Sequence, residues 1–403
     1  MSSVGENVSA LTLESPSLEE KSTSGDNAKD QAVRTPPQEI TGDDDNKSSL
    51  GGTPAPIENK GSIPQKPDSV RIGDIESDLP DEFSAAAVTY PDGGLQAWAV
   101  VVGSFLVIMA SVGFLNSFGV FQTYYMAHQL SHKSASQISW IGSLQLFVYF
   151  GSGAFLGKFY DTHGVRILLI AGTILLSGAS IVVSFCTEYW QFLVAQGILC
   201  GLGMAMLFYP AISVVSTYFL TRRANASSLA ISGAGVGGFL FPVILQQLLP
   251  AIGFAWSVRL MAFLLAALGI AGNILIKDRL PPKKSGRSLF SISAFRDVRF
   301  SVFSAACFCF ILSAFTPFTY IQDYALAQGV DPKFAAYIMP IMNAAAIPGR
   351  IAPGRLGDKF GVFNLIFPSA LFGGLCSFAI WLPAKDGPTL MVYAAAYGFF
   401  NGQ

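Results

Sequence analysis

The chain has 403 residues, of which 51% are hydrophobic and only 13% are charged. Soluble domains carry charge on about a quarter of their residues, so this composition excludes an ordinary soluble protein. The net charge of −1 hides two unlike regions. Residues 1–92 hold 18 acidic and 7 basic side chains, whereas the rest of the chain holds 8 acidic and 18 basic ones.

Residues 1–87 are rich in Ser, Pro, Asp, Glu and Gly and have almost no aromatic side chains. Such a segment cannot bury enough apolar surface to offset the entropy of ordering its backbone. It also lacks the basic start and apolar core of a signal peptide. We predict that residues 1–87 form a disordered, acidic tail.

The remaining chain is a series of apolar stretches, each about as long as a bilayer is thick. A helix needs about 20 apolar residues to cross the hydrocarbon core, and these stretches are continuous, as in helices, without the alternation of barrel strands. The pattern predicts an all-α polytopic membrane protein. We place ten spans at residues 96–122, 138–159, 167–186, 190–218, 226–252, 256–276, 300–326, 334–353, 363–382 and 388–403.

Lysine and arginine are concentrated in the gaps that follow even-numbered spans. The gap after span six alone holds seven of them, whereas each gap after an odd-numbered span holds at most one. Basic loops are retained in the cytosol. We therefore predict that the even gaps and the N-terminal tail are cytosolic. We expect a multi-pass protein of the plasma membrane, with the vacuolar membrane as the alternative.

A repeated motif predicts the architecture. The pattern G-x-x-x-D-x-x-G occurs after span two and again after span eight, 197 residues later. The glycines permit tight turns or close helix approach, and the aspartate can accept hydrogen bonds at a helix N-terminus or pair with a cation. Two matches six spans apart predict two six-helix halves around a cavity. The motif residues are Gly157, Asp161, Gly164 and the following Arg166, then Gly354, Asp358 and Gly361.

This repeat gives the predicted domain boundaries. The N-terminal half covers residues 88–276, and a cytosolic linker covers residues 277–299. Residues 300–403 form an incomplete C-terminal half, because the sequence stops inside an apolar stretch. The glycine-rich stretch 233–238 lies inside span five without a preceding strand, so we interpret it as helix packing and not as a dinucleotide-binding loop.

The repeat resembles the major facilitator superfamily, which carries this motif between helices two and three. Within it, the chain resembles the fungal branch of the monocarboxylate transporters. Asp92 in Pro91-Asp-Gly-Gly before span one is similar to one family signature, and Arg222 and Arg223 before span five are similar to a second. Asp92 is either a helix N-cap or a gating contact, and the two arginines are gating residues or topology determinants.

The resemblance implies a secondary transporter that works by alternating access. The expected solute is a small monocarboxylate-like anion. The alternatives are a carrier for a vitamin or a secondary metabolite, a non-transporting transceptor and a truncated fragment. We expect no enzymatic activity, no cofactor, no metal and no nucleic-acid partner. The expected partners are the solute and the lipid bilayer, and an accessory membrane protein remains open.

Arg350 in span eight is the main candidate for binding the solute. An arginine at membrane depth usually faces a cavity or a partner, and Arg350 matches the position of the family's carboxylate-binding arginine. The alternatives are that it snorkels to the interface or pairs with Asp358. Animal members that couple to protons carry an aspartate where this chain has Ala346, so we predict little direct proton coupling. Further candidates for contacts with the solute are Asn116, Tyr149, Tyr209, Tyr320 and Asn343.

Overall fold

The computed structural model describes residues 90–279 and 295–402, and every regular element in these ranges is a helix. The predicted tail at residues 1–87 and most of the predicted linker lie outside the described residues. The helices are α1 (Leu95–Leu115), α2 (Phe118–Ala127), α3 (Ala135–Gly151), α4 (Gly153–His163), α5 (Val165–Val183), α6 (Tyr189–Phe192), α7 (Gly201–Tyr218), α8 (Arg223–Leu275), α9 (Val298–Ala327), α10 (Pro332–Phe360), α11 (Phe363–Cys376) and α12 (Gly387–Asn401). Two π-helical segments, Leu193–Cys200 and Ser377–Trp381, continue α6 into α7 and extend α11.

Several predicted spans consist of two helices joined by a bend. Span one is α1 followed by α2, with the break at Asn116 and Ser117. Span two is α3 followed by α4, which are bent by 40°. Conversely, α8 has 53 residues, about 80 Å of helix, which is far more than a bilayer needs. Gly253, with φ 76°, interrupts α8 between predicted spans five and six.

The predicted count of ten spans is not confirmed by helix length and apolar character. Among the described residues, six helices meet both requirements, or seven if the bent pair α3 and α4 is one span. That count treats α8 as a single helix. Helix α10 carries charged residues near its C-terminal end, and α12 has only 15 residues. Ten spans therefore remain a prediction.

Buried side chains form two hydrophobic cores. The larger core is built from α1 to α8 and includes Ile108, Leu176 and Met204. The smaller core joins α9, α10 and α12 through Ile321, Met342 and other buried residues. Below, the helices of the larger core are called the first half and those of the smaller core the second half, and α8 packs against α10 between them. The predicted domain boundaries stay a prediction.

Glycines allow α8 to approach its neighbours closely. A Cβ atom at Gly237 would collide with the backbone of α1 at Gly113, 2.8 Å away. A Cβ atom at Gly235 would lie 3.0 Å from the Asn343 carbonyl oxygen on α10. These contacts confirm that the stretch 233–238 serves helix packing.

The two ends of the helix bundle are named by their loops. The motif face carries both G-x-x-x-D-x-x-G segments, at residues 157–164 and 354–361. The opposite face carries the loops at residues 128–134, 184–188, 328–331 and 382–386.

Candidate substrate site and gates

A cavity of about 210 Å³ lies between the two halves and is referred to below as the central cavity. Helices α2 and α3 line it from one half, and α9 and α10 line it from the other. Aromatic side chains, among them Phe118 and Phe318, lie beside hydrogen-bonding groups. The polar residues that line the central cavity are Asn116, Gln122, Thr123, Ser139, Ser143, Tyr320, Gln322 and Asp323.

A hydrogen bond between the two halves closes the central cavity toward the motif face. The side-chain amide of Asn116 donates from Nδ2 to Oδ1 of Asn343, at 3.1 Å. Asn343 is only 2% exposed, and its own Nδ2 donates to the Met339 carbonyl. A Cβ atom at Gly238 would lie 2.6 Å from Asn343 Oδ1 and 2.7 Å from Asn116 Nδ2. The asparagine pair therefore requires a glycine at that position of α8.

Arg350 does not line the central cavity. It follows Asn343 by seven residues on α10, about 10 Å along the helix axis, and lies in a second cavity of about 120 Å³, the arginine pocket. Its Nη1 is buried and has no hydrogen-bond partner among the described residues. The other residues that line the arginine pocket are Ala224, Ser228, Ile231, Pro353, Gly354, Val362, Leu365 and Ile366.

The alternative that Arg350 pairs with Asp358 is wrong. The Asp358 carboxylate accepts hydrogen bonds from the backbone N–H groups of Ala224 and Asn225, at 2.9 and 3.1 Å. These amides open α8, where the helix dipole favours a negative charge. Gly354, the first glycine of this motif, packs against Ser228 of α8, and Gly361 adopts φ 86° where α10 ends. The second motif thus links α10 to α8.

The first motif has different contacts, although its sequence pattern is the same. A Cβ atom at Gly157 would meet nothing within 4 Å, so the prediction of close packing is wrong at this glycine. Asp161 is exposed and makes no hydrogen bond within the described residues. Instead, Asp278 Oδ2 accepts from the Val165 N–H at the start of α5, at 2.8 Å. Gly164, with φ 80°, leaves room for that carboxylate.

Asp92 is not the N-cap of α1, because that position is taken by Gly94. Asp92 has φ 48° and accepts through Oδ1 from the backbone N–H groups of Leu220 and Thr221, at 2.6 and 2.9 Å. These bonds, above all that from Leu220, lower the pKa of the Asp92 carboxyl. Asp92 therefore ties the start of α1 to the segment after α7.

The remaining candidates occupy three different environments. Tyr320 is 58% exposed and lines the central cavity. Tyr149 and Tyr209 stack on each other between α3 and α7, with ring centroids 6.2 Å apart, and they do not line it. The exposed basic candidates Arg166, Arg222 and Arg223 lie at the motif face, at the starts of α5 and α8.

Asp323 is a cavity residue that the sequence reasoning missed. It lies on α9 one turn before the helix ends at Ala327, where the helix dipole disfavours a negative charge. It is the only charged residue among the described residues that line the central cavity. The signal was available in Tyr320-Ile-Gln-Asp323, because residues three apart share one face of a helix.

Comparison with known proteins identifies the family. The family model for the Major Facilitator Superfamily matches residues 101–402. The chain belongs to the major facilitator superfamily. The solved structure of FucP, a transporter of this superfamily captured in the outward conformation, superposes with a TM-score of 0.52 at 20% identity, covering 76% of this chain and 81% of FucP. This likeness supports the fold.

Fungal relatives cover most of the chain. It is 37% identical to MFS-type transporter 1 of Ophiocordyceps sp. (strain BCC 1869), over 82% of this chain and 74% of the relative. It is 42% identical to MFS-type transporter pytF of Aspergillus terreus, over 72% of this chain and 98% of the relative. It is 36% identical to the aspyridones efflux protein apdF of Emericella nidulans, over 78% of this chain and 64% of the relative. The chain is thus a multi-pass secondary transporter, and the monocarboxylate subfamily stays a prediction.

Proposed function

We propose that this carrier exports a carboxylate-bearing organic metabolite from the motif face to the opposite face. The observation that carries the proposal is the Arg350 guanidinium, whose Nη1 is buried without a partner in the described chain. An unpaired cation is costly inside a membrane protein and usually serves a ligand. A carboxylate matches the planar fork of arginine with two parallel hydrogen bonds.

The relatives favour export of a metabolite over uptake of a short-chain acid. Two of them are named as efflux proteins, for aspyridones in Emericella nidulans and for agnestins in Paecilomyces divaricatus. The central cavity combines aromatic rings with eight polar side chains, a lining that suits a solute with both apolar and hydrogen-bonding parts. A secondary metabolite with a carboxylate fits this lining better than a bare short-chain acid.

The two cavities suggest an order of events. A carboxylate first binds Arg350 while the arginine pocket is open to the motif face. In that state Asn116 and Asn343 are separated, so the solute reaches the central cavity, and rocking of the two halves then re-forms their bond behind it. There Tyr320 and the two asparagines supply hydrogen bonds, while repulsion from Asp323 weakens the retention of the anion in the cavity. Tyr149 and Tyr209 support the wall of the first half from behind.

The motif residues are proposed as gates. Asp358 holds the motif face closed through its bonds to the first amides of α8, and Gly354 and Gly361 shape that contact. Asp92 supports the gate by fixing the start of α1 to the segment that precedes α8. The corresponding first-motif residues Gly157, Asp161, Gly164 and Arg166 are proposed to act in another state of the cycle. We place the motif face in the cytosol of a plasma-membrane protein, because the basic gaps lie on that side.

Transport by the purified full chain in liposomes tests the proposal. The probes are an aromatic carboxylic acid and its methyl ester, which differ only in the charge that Arg350 would recognise. We expect transport of the acid to fall about 100-fold in Arg350→Ala, since two charge-assisted bonds are lost. Arg350→Lys should restore little, because an ammonium lacks the planar fork.

Arg355→Ala is the matched control, because Arg355 is exposed on the same helix. Full activity of Arg350→Ala on the acid would contradict the proposed site. Transport of the ester alone would favour a second candidate function, export of a neutral polar solute that contacts only the central cavity, which the position of Asp323 supports.

An imposed pH gradient should have little effect, since Ala346 offers no proton carrier beside Arg350. Concentration of the acid by that gradient would assign proton transfer to another group, with Asp323 as the first to substitute.

A further inference from the structure

Arg259, on the second part of α8, lies between two aromatic rings near the opposite face. Its guanidinium carbon is 4.5 Å from the centroid of the Phe185 ring and 5.2 Å from that of Trp256. Both rings are exposed, Phe185 by 67% and Trp256 by 57%. The predicted span at residues 256–276 begins here, so these exposed rings are available to lipid.

The position of the cluster corresponds to the depth of the lipid headgroups. Phe185 follows the end of α5 at Val183 by two residues, and Trp256 follows the break at Gly253 by three. Tryptophan is enriched at this boundary between hydrocarbon and water, and an arginine a few residues inside a span reaches toward it. A guanidinium at this place in a span is within reach of phospholipid phosphates.

Only part of the guanidinium is satisfied by the protein. Its Nε donates to Ser184 Oγ at 3.0 Å, and that hydroxyl donates onward to the Ile181 carbonyl at 2.7 Å. A guanidinium has five N–H donors, and the contacts of the described residues engage only the one on Nε. Glu188, the nearest acidic residue along the loop, instead caps α6. The outward N–H groups lack an anionic partner in the described chain.

We infer that Arg259, Phe185 and Trp256 form a binding site for the phosphate of a phospholipid in the leaflet at the opposite face. The guanidinium fork suits two phosphate oxygens, and the rings hold it flat by cation–π contact. The exposed outer faces of the rings then pack against the glycerol backbone and the first acyl carbons. This site is separate from the transport path and does not depend on the proposed solute.

A purely structural role makes a different prediction. Through Ser184, Arg259 also connects α8 to the end of α5, where a cation is favourable to the helix dipole. That contribution stabilises the protein equally in any lipid. A phospholipid site makes stability depend on the phosphate and on Arg259 together.

The test compares lipids that differ only in the phosphate. The full chain is purified in a neutral detergent and titrated with phosphatidylglycerol, with diacylglycerol of the same acyl chains, or with inorganic phosphate. Melting temperature and lipid retention in native mass spectrometry are measured. We expect phosphatidylglycerol to raise the melting temperature and to be retained, and the other two additives to have little effect.

The variants assign that effect to the site. In Arg259→Gln, the affinity for phosphatidylglycerol should fall about tenfold, whereas Arg299→Gln, which removes an exposed arginine at the start of α9, should leave it unchanged. Trp256→Leu keeps the charge and should weaken binding less, which provides a test if Arg259→Gln does not fold. Equal responses of wild type and both site variants to phosphatidylglycerol would overturn the inference. Equal protection by diacylglycerol or by inorganic phosphate would also overturn it.

Discussion

Aspartates at the two faces of the protein differ in how far along the chain their hydrogen-bond partners lie. At the motif face, Asp92, Asp278 and Asp358 accept hydrogen bonds from backbone amides more than 110 residues away along the chain. At the opposite face, Asp331 and Asp386 cap only the helices that they precede, while Asp323 projects into the central cavity. The aspartates of the motif face thus join segments that are distant in sequence, whereas Asp331 and Asp386 at the opposite face make only local bonds.

This difference concerns how the helices are held together at the motif face. Charge-assisted bonds to amides are stronger than neutral ones, and those at the motif face connect separate segments. The central cavity is bounded by the Asn116–Asn343 bond on the side of the motif face and extends along α2 toward the opposite face. Asp358 and the asparagine pair therefore join the two halves on the motif side of the central cavity, and the variants below compare these contacts with Asp323 and Asp92, which do not join the halves.

The largest effect is expected from Gly238→Ala. The new methyl group would lie 2.6 Å from Asn343 Oδ1 and would force the asparagine pair apart. Overpacking of this kind costs about 1–3 kcal/mol, so we expect a lower melting temperature and a transport rate reduced by about tenfold or more.

Gly178→Ala is the control for this change, because a Cβ atom at Gly178 meets nothing within 4 Å. Replacing a helical glycine by alanine where the Cβ atom has room stabilises by about 0.5–1 kcal/mol, so this variant should melt slightly higher and transport normally. If both variants behave alike, the asparagine pair does not divide the two cavities.

The next effect tests the two motifs against each other. Asp358→Asn removes a charge from the start of α8, an interaction worth roughly 0.5–1 kcal/mol. We expect solute exchange to slow by a few-fold while equilibrium binding of the solute remains intact. Asp161→Asn should have a smaller effect on closure of the motif face, since Asp161 makes no hydrogen bond within the described residues. Rates from counterflow and affinities from equilibrium binding separate the two quantities. Loss of binding in a folded Asp358→Asn protein would refute the gating role.

A smaller effect is expected from Asp323→Asn, which removes the only charge among the described residues that line the central cavity. Exposed charges contribute little because water screens them, so the expected change is about twofold. Without repulsion from this carboxylate, an anionic solute should bind more tightly from the opposite face and leave more slowly. A neutral ester should show no change. Affinity measured on each side of oriented vesicles checks this, and equal changes for acid and ester would contradict it.

The sequence predicted the elements of this structure better than the contacts between them. Continuous apolar stretches located the helices. The repeat indicated that its aspartate can accept hydrogen bonds at a helix N-terminus, as the Asp358 carboxylate does at the start of α8. The repeat could not predict that Asp278 takes the place at α5, because the partner of a carboxylate depends on tertiary packing. The sequence predicted a helix that carries Arg350, and the structure has one. It did not predict that Arg350 and Asn116 line different cavities, because that depends on how closely α8 approaches α10 at Gly235 and Gly238. Asp323 was missed because a charge near a span end is usually interfacial.

The smallest expected effect concerns pH. Hydrogen bonds from Leu220 and Thr221 lower the pKa of Asp92 below its ordinary value of 3.8. A carboxyl with a depressed pKa in the folded state contributes stability that is fully present above its unfolded pKa and is lost as pH falls through the folded pKa. The protection factors for amide exchange at Leu220 and Thr221 should therefore stay high at neutral pH and decrease only below about pH 4. In Asp92→Asn, that pH dependence should disappear.

Asp386 provides the control. Its pKa is also lowered, chiefly by the Thr389 N–H, so Thr389 should lose protection in the same pH range in the wild type and in Asp92→Asn. Persistence of the pH dependence at Leu220 in Asp92→Asn would show that another group holds the segment after α7.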